Sequence, residues 1–137
     1  MSYAMSAALQ EAVHARLSGD AALAALVGGA IYDAPPEGAL PEIYVAIGPE
    51  DVRDRSDGTG RGAWHRFVVS VVTDAAGFHT AKAAAGAVGA ALTDAPLSLS
   101  QGRLVALNFA RARARREDRG RLRRIDLTFR ARVDETT

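Results

Sequence analysis

Residues 104–133, LVALNFARARARREDRGRLRRIDLTFRARV, constrain the fold of this chain more than any other stretch. Two runs with a period of two flank a short polar turn, and that period belongs to β-strands, whose successive side chains point to opposite faces. Strands are expected over 104–116 and 121–133. Val105, Leu107 and Phe109 fall on one face of the first, and uninterrupted alternation carries Arg111, Arg113 and Arg115 onto the same face. Ile125, Leu127, Phe129, Ala131 and Val133 share one face of the second. Asp118-Arg119-Gly120 suits a three-residue connection, a type I turn closed by a left-handed glycine. The outer hairpin, about nine residues from Phe109 to the turn, would extend roughly 30 Å at ~3.3 Å per residue.

The rest of the chain alternates helical and extended signals. Leu9, Val13 and Leu17 recur every fourth position, which predicts an amphipathic helix over 6–17 ended by Ser18-Gly19. Asp20 is placed to cap a second, short helix through Val27, with Gly28-Gly29 stopping it. Three prolines in DAPPEGALPE (33–42) exclude helix and central strand. A strand is expected over 43–47, then a mobile polar loop over 49–62, then a strand over 64–72 whose near-continuous apolar run suits the sheet centre. A helix over 74–92 follows, its alanines and glycines, Gly86 and Gly89 among them, leaving a thin face for close packing on a sheet. At 137 residues the whole is one domain.

Eight of the fourteen residues from Arg111 to Arg124 are arginine, yet the formal net charge is only +1. The charge is polarised: residues 1–102 carry −5 and residues 103–137 carry +6. Such a dipole suits oriented association, whereas general adhesion to DNA usually goes with a basic whole domain. Three uses of the hairpin remain open: a subunit interface in which arginine stems cover apolar surface, a solvated arm, or a phosphate contact. Leu122, Ile125 and Leu127 beside the arginines favour the interface, formed by Arg111, Arg113, Arg115, Arg116, Arg119, Arg121, Arg123, Ile125 and Leu127. The loop residues Asp51, Arg53, Asp54, Arg55, Asp57 and Arg61 form a second candidate contact set.

Signs of catalysis or of a cofactor are missing from the sequence. His14, His65 and His79 make no metal-binding spacing, and without cysteine there is neither a thiolate site nor a disulfide. DGTGRG lacks the following GK[ST] of a phosphate loop, and Arg53 and Arg55 stand where a calcium loop requires carboxylates. Ser70 and Asp74 have no triad geometry with His65 or His79, and the pairs Glu50-Asp51 and Glu117-Asp118 fall in polar turns where burial would not tune them. No run of about 18 apolar residues predicts a membrane span, and no leader pattern follows Met1.

The order of these features resembles the phage tail-completion family of tail-terminator, or head-tail joining, proteins, especially the version found in gene transfer agents. The likeness spans nearly the whole chain and is most specific in VGGAIYDAPPEGALPEIYVAIG (27–48) and RRIDLTFRARV (123–133). It implies an α+β subunit, with helices packed on one side of a mainly antiparallel sheet that ends in the long C-terminal hairpin. It further implies a non-enzymatic, cofactor-free particle protein, made in the bacterial cytoplasm and located at the head-tail junction. There a homo-oligomer, a hexameric ring, would cap the tail tube, meet tail-tube protein on one face and a head-side stopper or adaptor on the other, and pass DNA transiently through its lumen. The alternatives are a basic-hairpin nucleic-acid-binding module or another small head-tail adaptor.

Overall fold

Eight elements follow one another among the residues that the computed structural model describes, 3–56, 58 and 60–135. Helices α1 (Ser6–Ser18) and α2 (Ala21–Val27) precede a short strand β1 (Ile31–Tyr32) and the long strands β2 (Ile43–Asp54) and β3 (Gly62–Thr73). Helix α3 (His79–Leu92) then leads to β4 (Arg103–Glu117) and β5 (Leu122–Asp134). The strands form one sheet in the order β1-β2-β3-β5-β4, antiparallel except for the β1–β2 pair. The fold is α+β, with the helices on one face of the sheet, and the apolar strand β3 lies at its centre.

The local signals explain the helices. Leu9, Val13 and Leu17 are all buried on α1, and Asp20 caps α2 by accepting the Leu23 N–H at 2.9 Å. Gly28 ends α2 at φ 61. Helix α3 starts at His79 rather than at 74, because the preceding chain is still tied to the sheet: the Asp74 N–H and the Thr73 hydroxyl both donate to the Glu42 carbonyl, at 3.1 and 2.9 Å. Ala81, Ala84, Ala85, Val88, Ala91 and Leu92 make its buried face. Gly86 and Gly89 do not belong to that face. A Cβ at either would meet no atom within 4 Å, so the expected close glycine packing is absent there.

Inward side chains of α1, α2, α3 and the strands merge in one core. Phe129 is its largest fully buried residue, stacked on Phe67 with ring centres 5.7 Å apart and edge-on to Phe109 at 6.0 Å. A smaller cluster of Ala30, Tyr44 and Val72, flanked by Tyr32 and Leu122, sits on the opposite face.

Three further sequence expectations are corrected. Of the loop expected over 49–62, residues 49–54 belong instead to β2, which continues to Asp54, and Gly62 opens β3. A shift in register between Ile47 and Glu50 absorbs Gly48-Pro49, and a proline without an N–H is tolerated where the ladder is already broken. The hairpin turn spans four residues, since Glu117 pairs with Leu122. Asp118, Arg119 and Gly120 all have positive φ (52, 58 and 83), which matches strand twist better than a type I turn.

The third correction decides the site. Phe109 pairs with Phe129 and Arg111 with Thr128, leaving Ala110 as an unpaired bulge residue. The extra residue reverses the alternation. Phe109 therefore faces the helices, Arg111, Arg113 and Arg115 face the other way, and Ala112 and Ala114 lie inward opposite Leu127 and Ile125. A like break between Leu104 and Ala106 separates Val105 from Leu107, leaving Val105 48 % exposed while Leu107 is buried.

Phe129→Ala should destabilise the fold by about 3–5 kcal/mol, read as a lower urea midpoint at unchanged slope. Deleting Ala110 should leave every hairpin side chain on its present face and change the thermal midpoint little. Deleting Ala112 would turn Arg111 inward against Leu127, and the midpoint should fall well below that of the Ala110 deletion.

Candidate functional site

The helix-free face of the sheet is assembled by strand register. Asp51 and Arg53 on β2 align with Arg66 and Trp64 on β3, and those with Arg130 and Arg132 on β5. Arg124, Asp126 and Thr128 continue the face along β5, opposite Arg115, Arg113 and Arg111 on β4. Strand register thus collects nine arginines, Arg103 opposite Asp134 among them, against the acids Asp51, Glu117, Asp126 and Asp134.

Part of that charge is neutralised within the chain. Arg115 bonds Glu117 at 3.1 Å and Asp126 at 3.0 Å, Arg124 bonds Glu117 at 2.7 Å, and the Ser70 hydroxyl donates to Asp126 at 2.6 Å. Burial disfavours the Arg124 charge, but the Glu117 hydrogen bond and the charges of Glu117 and Asp126 outweigh it and hold its pKa above the ordinary arginine range. Arg132 bonds Asp134 at 3.0 Å, and the Arg130 guanidinium lies 3.8 Å from the centre of the Trp64 ring. Arg66, Arg111 and Arg113 have no acidic partner among the described residues. Arg111 and Arg113 line a concavity of about 310 Å³ floored by Val68, Ser70 and Thr128. A second, of about 470 Å³, lies between Arg53, Arg55, Arg66 and Arg130 beside Asp51 and Asp54. The Ser56 hydroxyl, 2.8 Å away, holds the Asp54 carboxyl below the usual range.

The expected interface residues therefore divide. Arg111, Arg113 and Arg115 face outward, whereas Arg116, Arg123, Ile125 and Leu127 belong to the helix side, where the Arg123 guanidinium lies 5.8 Å from the Phe78 ring. Arg119 and Arg121 occupy the tip, Arg121 bonded to Asp118 at 2.7 Å. Of the second set, Asp51, Arg53 and Asp54 are strand residues, Arg55 and Arg61 flank the short loop, and Asp57 lies outside the described residues. Arg66, Trp64 and Arg130 join the site unforeseen, although the alternation of Arg124, Asp126, Thr128, Arg130 and Arg132 in RRIDLTFRAR carried the signal.

The Glu50-Asp51 pair is not in a turn. Glu50 points inward from β2, accepts hydrogen bonds from Tyr3 at 2.6 Å and Ser6 at 2.5 Å, and lies 3.1 Å from Nδ1 of the fully buried His65. His65 Nε2 has no partner among the described residues. Burial raises the Glu50 pKa, but hydrogen bonds from Ser6, Tyr3 and His65 outweigh it and hold the carboxyl below the usual range. This group clamps the start of α1 to the sheet. No three or more His, Asp or Glu side chains among the described residues gather as a metal site, and no described helix is long and apolar enough to cross a membrane.

A lowered folded-state pKa gives stability that is complete above the unfolded value and lost as pH falls through the folded one. Wild type should melt above Glu50→Gln at neutral pH, with the gap closing on acidification below the carboxylate range, as followed by circular dichroism.

A family model described as "Tail completion protein gp17" matches residues 11–134. Among solved structures, a chain of "Virion of native gene transfer agent (GTA) particle" is 63 % identical with a TM-score of 0.93, the match covering 97 % of this chain and 99 % of that one. No curated protein matches the chain.

Proposed function

Since the chain belongs to the tail completion protein gp17 family, we propose that it acts as a tail terminator, a ring at the head-tail junction that caps the tail tube, joins it to the head-side stopper and lets DNA pass. Its family and its near-complete likeness to a gene transfer agent chain make it a structural protein of such a particle. The observation that carries the finer reading is that likeness, 63 % identity over 97 % of the chain. The shape of the subunit supports it. A closed ring needs each subunit to offer two different surfaces to its neighbours, and this sheet has a two-residue strand at one edge and a fifteen-residue strand at the other. Its faces differ too, one covered by helices and one basic and polar.

Light scattering on the purified protein, alone and with its tail-tube protein, tests the ring: a sixfold mass is expected, and a persistent monomer would overturn it. Arg66, Arg111 and Arg113, without an acidic partner among the described residues, favour a second reading, contact with DNA phosphates. That reading requires affinity falling by about 0.9 log units per log of salt for each phosphate neutralised. A terminator that transmits DNA should bind it weakly, so Arg111→Glu with Arg113→Glu should lower the yield of intact particles while leaving the thermal midpoint nearly unchanged.

A further inference from the structure

The reversed alternation after Ala110 has a second effect, on the helix side. Outward of Phe109 the inward positions of β4 hold only Ala112 and Ala114, too short to reach α3, so the helix, which rests on β5, is separated from the outer part of β4 by an open apolar groove of about 570 Å³. Its floor is Ala112, Ala114, Ile125 and Leu127, and its far wall is the unoccupied glycine side of α3. Phe109 remains 47 % exposed beside it. An apolar surface of this kind with a charged rim marks an interaction site. The rim is cationic: Lys82, the chain's single lysine, and Arg123 both lie against the Phe78 ring, at 5.7 and 5.8 Å, and Arg116 is paired beside Arg123.

A complementary element stands at the other edge of the sheet. Residues 33–42, DAPPEGALPE, are exposed throughout and connect the edge strand β1 to β2. They carry Asp33, Glu37 and Glu42 with no cation, three prolines, and Leu40, one of the few large apolar side chains left 43 % exposed. Proline-rich chain is already extended, loses little entropy on binding, and docks into apolar grooves with an aromatic wall. The groove flanks β4, at the opposite edge, so four strand spacings, about 19 Å, separate it from this segment in the same chain.

We propose that the groove between α3 and the hairpin receives the acidic, proline-rich segment 33–42 of a second copy, joining β1 edge to β4 edge head to tail. This rests on the ring reading and names the surfaces that would close the ring. Leu40 would enter the apolar floor, and the carboxylates would meet Lys82, Arg116 and Arg123. Donor and acceptor surfaces differ, so the contact propagates from copy to copy.

The absence of cysteine makes the test direct. A chain carrying both Leu40→Cys and Ala90→Cys, oxidised under assembly conditions, should give a ladder of disulfide-linked oligomers, while a mixture of the two single variants should stop at dimers. Ala90→Trp, at an exposed position facing the groove, should keep its thermal midpoint within a few degrees yet weaken self-association at least tenfold in sedimentation. An assembly of wild-type mass that gives no disulfide, or that tolerates Ala90→Trp, would overturn the docking and leave the ring intact. Wild-type protein that stays monomeric with and without tail-tube protein would remove both.

Discussion

Strand β5 is the member on which the sheet depends, because it is hydrogen-bonded along its length to β3 on one side and β4 on the other. Its inward row, Ile125, Leu127, Phe129, Ala131 and Val133, is buried without interruption and meets helix α3. That row fixes the register of β5 absolutely, since a slip of one residue would exchange phenylalanine and leucine for arginine and aspartate. Strand β4 has no comparable row. It follows β5 with two breaks, at Val105 and Ala110, and its chemistry is distributed by those breaks rather than by its own hydrophobic pattern.

Charge on the open face is graded in a way that bears on assembly. Near the hairpin tip, Arg115 and Arg124 are held by Glu117 and Asp126 in a closed network whose guanidinium groups are oriented and partly desolvated. These pairs hold the two strands in one geometry more than they attract a partner, because the carboxylates of Glu117 and Asp126 already take up their charge. Arg111 and Arg113, one strand period inward, have no such obligations. A partner would find a basic strip in which Arg111 and Arg113, without an acidic partner among the described residues, lie inward of the ion-paired tip.

Much of this was legible in the residues. The four-residue spacing in α1, the Asp20 cap, the central apolar strand and the two long hairpin strands all follow from local pattern, and local interactions decide them. The parity of the arginines was not legible. Period two is a rule about consecutive residues, and a bulge violates it for reasons set by the partner strand, so nothing in NFARARARR distinguishes Ala110 from Ala112. Nor was the Glu50 clamp readable, because Tyr3 and Ser6 lie more than forty positions away and Pro49 suggested that the strand had ended. The positions that sequence misjudged are those where tertiary pairing overrides local preference.

The two breaks in β4 also bear on how such a chain can diverge. They let the facing of the outer part of β4 differ from that of its inner part, while Ile125 and Leu127 keep the outer part of β5 tied to the core, so only a change at the tip, 118–121, need not propagate inward. Changes confined to the exposed tip, 118–121, can then alter its length or charge without touching the buried row of β5. A lineage could refit its particle contacts without redesigning the domain that carries them.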